Sequence, residues 1–414
     1  MAEADNWENI VNETVKIQEI MLDGEKPQDT TEIKLIDDFE MMNLKINLLR
    51  GIYAYGFEKP SVVQQQTIPI IVSKNDILAQ APAGTGKTGC FAIGVLQNID
   101  EKKDYPQAVI ISPTQELTKQ INSVVSDLGN NMGIKTELCI GGINIDDNIE
   151  NTKKAHILIG TPGRLNDLIE RKKIDMSRIE IFVMDEVDVL LSKDFLMQTR
   201  NIIKRLHEKT QICAFSATLT QETIETTKKF MNKNAVNILL KQEKLSLSGI
   251  SQYHINVGEE RNKLETLDDL YARLSIGQCI IYVNGVDKTI WLKEQLNSMG
   301  HATEAMHSKL SPLERTEIMK LYRDGKCRVL VSTDLLARGI DVQQVSYVIN
   351  YDLPMDIPNY IHRIGRSGRY GKKGVAINFV SNRDWRQLKA ISMYYKCDIP
   401  EMPDPDELNS YLKN

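Results

Sequence analysis

The eight residues Ala81-Pro82-Ala83-Gly84-Thr85-Gly86-Lys87-Thr88 carry the groups that a phosphate ester needs from a protein. Gly84 and Gly86 admit positive φ, so successive backbone N–H groups can turn toward one point where phosphate oxygens sit. Lys87 supplies a point cation for the β- and γ-phosphates, and the Thr88 hydroxyl suits a Mg²⁺ ligand. A helix beginning near Gly89 adds the partial positive charge of its N-terminus. The usual phosphate-loop pattern opens on Gly, and here that place holds Ala81. The bland alternative is a strand-to-helix turn with a chance Gly-Lys-Thr. The apolar strand before the loop and the apolar helix after it argue for the phosphate reading.

A carboxylate cluster follows at Ile181-Phe-Val-Met-Asp185-Glu186-Val187-Asp188. Asp185 stands where a parallel strand ends, at the ligand-binding edge of an open α/β sheet, and is expected to hold Mg²⁺ mostly through water. Glu186 is the candidate base that polarises the attacking water. Acids at a strand end also serve as helix N-caps, but the pairing with the Lys87 loop favours ATP-Mg²⁺ chemistry.

These groups need a scaffold, and the sequence describes one. Short β-branched runs at 76–80, 108–112, 156–160, 181–184 and 212–216 read as strands buried on both faces. Helix-length stretches such as Glu116 to Leu128 and Arg164 to Glu170 lie between them. The polar stretch Lys241 to Gly249 interrupts the pattern, which restarts with runs at 279–283, 328–332, 347–350 and 375–379. The expected organisation is an acidic flexible tail over 1–38, an α/β domain over 39–240, a linker over 241–251 and a second α/β domain over 252–414.

Composition bounds the function. The 414 residues are 42% hydrophobic and 26% charged, as in ordinary globular chains. No apolar stretch reaches about 18 residues, so no membrane partner is expected. Six scattered cysteines form no metal spacing and read as free thiols, with Cys90, Cys139, Cys213 and Cys279 in or beside apolar runs. A net charge of −5 argues against nucleic acid held by bulk positive charge; any such contact must be a localised groove.

From Phe39 to about Leu408 the sequence resembles the DEAD-box RNA helicases, in particular their translation-initiation and exon-junction group. The resemblance is carried by the motifs above and by 50–61, 335–346 and 374–380. It implies two tandem RecA-like domains, each a doubly wound, mostly parallel α/β sheet. It also implies an ATP-dependent, RNA-stimulated helicase, acting in translation initiation or, alternatively, as a low-turnover RNA clamp in a nuclear messenger-RNA assembly. Phe57, Pro60 and Gln64 match the adenine-reading segment, with Gln64 pairing to the base edge and Phe57 stacking on it. Ser216 and Thr218 match the segment that couples hydrolysis to unwinding, with hydroxyls directed to Asp188. His362-Arg363-Ile-Gly-Arg366-Ser-Gly-Arg369 matches the arginine-finger segment, in which Arg366 and Arg369 reach the γ-phosphate, and Asp341 matches a ribose contact. The paired arginines also count against a single-core P-loop kinase.

Pro113, Thr114, Gly142, Thr161 and Arg164 match RNA-facing positions of the first domain, and Asn284, Arg315 and Thr333 those of the second. Such contacts read phosphates and 2′-hydroxyls, so the RNA partner is expected to be bound largely without sequence preference. The resemblance further implies a scaffold protein of the initiation-factor type, a monomeric core and a cytoplasmic location, with a nuclear one as the alternative. Departures from the family pattern are Val187 for Ala, Pro82-Ala83 for Gln-Ser, Gln115 for Arg, Ser308-Lys309 for Gly-Asp and Pro312 for Gln. Val187 is expected to crowd its turn, and Gln115 to remove a charge beside the RNA path.

Overall fold

The computed structural model describes residues 19–21, 36–81, 85–239, 250–274, 277–334, 345–367 and 374–404. The chain forms two compact units, residues 1–241 and 242–414.

In unit 1 the strands are β1 (Glu19–Met21), β2 (Ile77–Gln80), β3 (Ala108–Ile111), β4 (Thr136–Cys139), β5 (Ile157–Gly160), β6 (Ile181–Asp185), β7 (Gln211–Ser216) and β8 (Val236–Leu239). They make one sheet in the order β1-β8-β2-β7-β6-β3-β5-β4, with every pairing parallel. Parallel pairing demands a crossover between strands, and the helices that provide it cover both faces. The two-residue alternation of the strands divides their side chains accordingly. Ala79, Ile110, Val183 and Phe215 face one core with helices Ile46–Ala54, Val62–Val72, Lys87–Asn98 and Gln115–Gly129. Leu78, Val109, Phe182 and Ala214 face the other, with helices Pro162–Glu170 and Leu196–Ile203.

Unit 2 repeats the plan with β9 (Ile250–Gly258), β10 (Cys279–Tyr282), β11 (Thr303–Met306), β12 (Val329–Ser332), β13 (Tyr347–Asn350) and β14 (Gly374–Ser381). Their order is β11-β12-β10-β13-β14-β9, again parallel throughout. Ile281, Val331, Ile349 and Ile377 belong to one core; Ile280, Leu330 and Val348 belong to the other with Met319 and Tyr322.

Two features differ from the sequence reading. Within the segment read as a flexible acidic tail, Glu19–Met21 pairs with Asn237–Leu239 as an edge strand. The backbone of β8 otherwise presents an unpaired row of N–H and C=O groups there, and a short parallel strand satisfies part of it. At the expected linker, Ile250 and Ser251 already belong to β9, while residues 241–249 lie outside the described residues. All six cysteines are free; five are buried and Cys397 is half-buried.

Candidate nucleotide and RNA site

The carboxyl ends of the unit 1 strands gather the residues singled out above, in two groups. β2, β7 and β6 are neighbours in the sheet, and Ala81, Asp185 and Ser216 lie at their ends. The Ala81 N–H donates to the Ser216 carbonyl at 3.0 Å, tying the start of the phosphate loop to the adjacent strand. Gly86 has φ +92° and precedes the helix Lys87–Asn98 directly, as the phosphate-loop reading requires. Pro82, Ala83 and Gly84 lie outside the described residues.

Lys87 is 9% exposed, and among the described residues its Nζ has no hydrogen-bond partner. A buried ammonium without a protein acceptor is costly, and an anion at this point relieves that cost. The Asp185 carboxylate accepts from the Glu186 N–H at 3.1 Å. Burial, then the adjacent Glu186 carboxylate, push Asp185 well above the usual carboxylate range, against the pull of Lys87. A divalent cation would reverse that balance. Buried Asp185, half-buried Thr88 and the Lys87 ammonium are therefore a donor set that fits a Mg²⁺–phosphate group. Glu186 itself sits at φ 55°, ψ 53°, a left-handed conformation that costs about 1–3 kcal/mol in a non-glycine residue. Val187, expected to crowd the turn, is fully buried in the core shared with Phe182 and Met184.

Asp188 receives hydroxyls on both oxygens, from Ser216 at 2.7 Å and from Thr218 at 2.7 Å. Upstream, Ser61 and Gln64 form a reciprocal cap on the helix Val62–Val72. The same two side chains reach the phosphate loop, Ser61 Oγ donating to Thr85 O at 2.8 Å and Gln64 Nε2 to Gly86 O at 3.4 Å. Pro60 is buried. Phe57 is half-buried, its ring centroid 6.3 Å from that of Phe39 and 5.0 Å from that of Tyr55. A Cβ on Gly89 would lie 3.2 Å from the Phe57 ring, so this aromatic sits beside the first turn of the phosphate-loop helix.

The second group lies at the ends of β3, β5 and β4, the other half of the same edge. Pro113 is buried, and the Thr114 hydroxyl caps the helix Gln115–Gly129 through Leu117 N. Gly142 is exposed with φ +88°. Thr161 precedes the helix Pro162–Glu170 without spending its hydroxyl on the cap. Arg164 donates to Asn148 Oδ1 at 2.6 Å and to Ile143 O at 2.8 Å, so its guanidinium holds the Gly141–Gly142 loop in place. The Gln115 amide lies against Gly141.

Unit 2 places Asn284 after β10, Thr333 after β12 and Arg315 in the helix Pro312–Arg323 that follows β11. Arg315 Nη2 donates to Ser308 O at 2.9 Å and fixes the Ser308-Lys309 turn, while Lys309 pairs with Asp287 at 3.0 Å. Pro312, a departure from the family pattern, opens its helix inside a Ser311/Glu314 capping box, a position where proline needs no N–H partner. Arg366 follows the helix Ile357–Ile364; it is 5% exposed and its Nε donates to His362 O at 3.1 Å. Asp341 and Arg369 lie outside the described residues.

Sequence reading missed a buried charge cluster in unit 2. Lys263, 1% exposed, meets Asp352 at 3.1 Å and Glu260 at 2.9 Å, and Lys288 also reaches both acids. Nothing in the polar sequence of 259–265 marks Lys263 as an interior residue; only the strand-end position of Asp352 offered a hint.

Residues 61–227 match the DEAD/DEAH box helicase family, and residues 262–371 match the helicase conserved C-terminal domain. An ATP-dependent RNA helicase eIF4A of Aspergillus niger is 46% identical over 376 residues, which cover 91% of this chain and 94% of that protein. The Pyricularia oryzae protein of the same name is 47% identical over 369 residues, covering 89% and 93%. The solved structure of Saccharomyces cerevisiae Dbp5 bound to RNA and ADP BeF3 is similar at a TM-score of 0.85 and 33% identity, covering 91% of this chain and 99% of that one.

Proposed function

The chain belongs to the DEAD/DEAH box helicase family, and from that premise we propose that it is an ATP-dependent RNA helicase of translation initiation, using the residues assembled above. The observation that carries this reading is the buried Lys87 ammonium, which has no protein acceptor among the described residues and lies beside the Asp185–Glu186 carboxylates. Lys87 and the phosphate-loop amides bind the β- and γ-phosphates of ATP. Thr88 and Asp185 would hold Mg²⁺, which when bound would neutralise charge on the phosphate oxygens. Glu186 orients the water that attacks the γ-phosphorus and takes its proton, and ADP and phosphate leave. Gln64, Phe57, Pro60 and Asp341 contact the nucleoside. Arg366 and Arg369 stabilise the transferred phosphoryl group, a role worth roughly 10³–10⁵ in rate.

RNA lies along the loops that carry Pro113, Thr114, Gly142 and Thr161, and those of Asn284, Arg315 and Thr333. Asp188, Ser216 and Thr218, hydrogen-bonded to one another, are the proposed coupling of hydrolysis to unwinding. A scaffold protein of the initiation-factor type is the proposed partner, the core acts as a monomer, and the location is cytoplasmic. The names of both eIF4A relatives favour this over the nuclear clamp. No described helix is long and apolar enough to cross a membrane.

The test is steady-state ATP hydrolysis with and without single-stranded RNA, for the wild type and Glu186→Gln. The wild type is expected to be stimulated over many turnovers, and the variant to lose at least 10²-fold in kcat, about the scale of general base catalysis. Equal rates would remove Glu186 from its role. An unstimulated wild type would remove the RNA-dependent reading.

A further inference from the structure

The candidate RNA residues of unit 2 do not hold their own positions. The Asn284 side chain is committed to protein on both ends, its Nδ2 donating to Leu353 O at 2.7 Å and its Oδ1 accepting from Arg363 Nη2 at 2.8 Å. Its backbone N–H donates to Asp352 Oδ2 at 3.1 Å. Arg363 is fully buried; besides Asn284 it binds the Asp352 carbonyl at 2.6 Å and the carboxylate of Asp334, the residue after Thr333. The loops after β10 and β12 therefore meet at Arg363, which is bonded to the backbone carbonyl of Asp352 just past β13, and the β10 loop is also bonded to the Asp352 carboxylate.

Asp352 is itself held from behind. Its other carboxylate oxygen, Oδ1, accepts from Lys263 at 3.1 Å and from Lys288. Both ammoniums also lie over the Tyr351 ring, at 5.6 and 5.0 Å. Neither lysine hydrogen-bonds Asn284, Thr333 or Arg363 among the described residues, and of the acids they pair with, Asp352 is the one that also accepts from the Asn284 N–H.

We propose that Lys263 and Lys288 are positioning residues for RNA binding by unit 2, fixing the Asp352 carboxylate that in turn sets the Asn284 loop and the Arg363 guanidinium. The proposal rests on the assignment of the Asn284 and Thr333 loops to RNA. With the lysines in place the loops are preformed, and RNA binding does not have to order them. With one removed, the half-neutralised Asp352 shifts, and the cost appears in RNA affinity rather than in ADP affinity without RNA, for which the phosphate-loop and adenine residues lie in unit 1.

The experiment uses the full chain with Lys263→Met, Lys288→Met, Asn284→Ala and the Lys288→Met/Asn284→Ala double variant. Lys288 is 31% exposed, so its variant keeps the question open to test if Lys263→Met fails to fold. Affinity for a fluorescein-labelled oligouridine with AMP-PNP, affinity for a fluorescent ADP without RNA, and RNA-dependent ATPase kinetics are measured. Expected are an RNA affinity weakened fivefold or more by each lysine variant, an ADP affinity within twofold of wild type, and a raised RNA KM with kcat within twofold. The double variant is expected to lose less than the product of its single losses, because both act on one loop. Wild-type RNA affinity in folded Lys288→Met, or strictly multiplicative losses in the double variant, would overturn the proposal. A wild type that binds no RNA would instead overturn the function it rests on, and the proposal with it.

Discussion

The three acids at the end of β6 differ in their partners. Asp185 is buried and accepts from the Glu186 N–H, Glu186 sits in a strained left-handed turn, and Asp188 has both oxygens occupied by hydroxyls. A hydrogen bond to a charged group contributes about 1.5–3 kcal/mol. The Ser216→Ala/Thr218→Ala variant is therefore expected to melt measurably lower than wild type. It should lose duplex unwinding to a greater extent than ATP hydrolysis, and parallel losses in both assays would argue against a linking role for Asp188.

Burial pushes Asp352 up, but Lys288, Lys263 and the Asn284 N–H outweigh it and hold the carboxyl below its ordinary value. Its stabilisation is complete above the unfolded value and is lost only as pH falls through the lower folded one. Burial lowers Lys263, but Asp352 and Glu260 outweigh it and raise the ammonium above its ordinary value, so that contribution is lost only as pH rises through the higher folded value. Between about pH 5 and 9 Asp352 and Lys263 therefore both stay charged. The ratio of wild-type to Lys263→Met RNA affinity should be flat across that window; a slope within it would mean that other ionisations control the loop.

At the scale of elements, close packing sets the tolerances. A Cβ on Gly51 would lie 2.0 Å from the backbone oxygen of Leu128, where the helix Ile46–Ala54 crosses the helix Gln115–Gly129. Alanine is the better helix former by about 1 kcal/mol, yet backbone cannot yield as a side chain can. Gly51→Ala is expected to destabilise unit 1 by about 1–3 kcal/mol, read by urea unfolding. A more stable variant would mean that the helices can separate freely.

Central strands were legible in the sequence because burial on both faces forces continuous apolar runs, as at 108–111, 157–160 and 347–350. The edge strands β1, β4, β9 and β11 were not, nor was β8 beside β1. Thr136–Cys139 is mostly half-buried and carries Thr and Glu, and β9 alternates polar residues along nine positions. The phosphate loop and the acids were legible because their chemistry needs rare residue types at fixed spacing. The partners of Arg164, Asn284 and Lys263 were not, since they are contributed by distant segments that only the fold brings together.

For the whole molecule, Lys87, the proposed phosphate-binding lysine, and the proposed arginine-finger segment belong to different units. Under the proposed function, Arg366→Ala should reduce RNA-stimulated kcat by roughly 10³-fold or more while ADP affinity stays within a few-fold of wild type. A variant that keeps wild-type kcat would show that hydrolysis is completed within unit 1.

The strand order of unit 1 also dictates when the molecule can first work. β2, which launches the phosphate loop, lies between β7 and β8, whose residues come more than a hundred positions later. During synthesis, the proposed nucleotide-binding segment emerges early and lacks its flanking strand β8 until residues up to Leu239 have left the ribosome. A nascent chain stalled before β8 should be protease-sensitive and unable to retain nucleotide, and one stalled well beyond it should acquire both properties together.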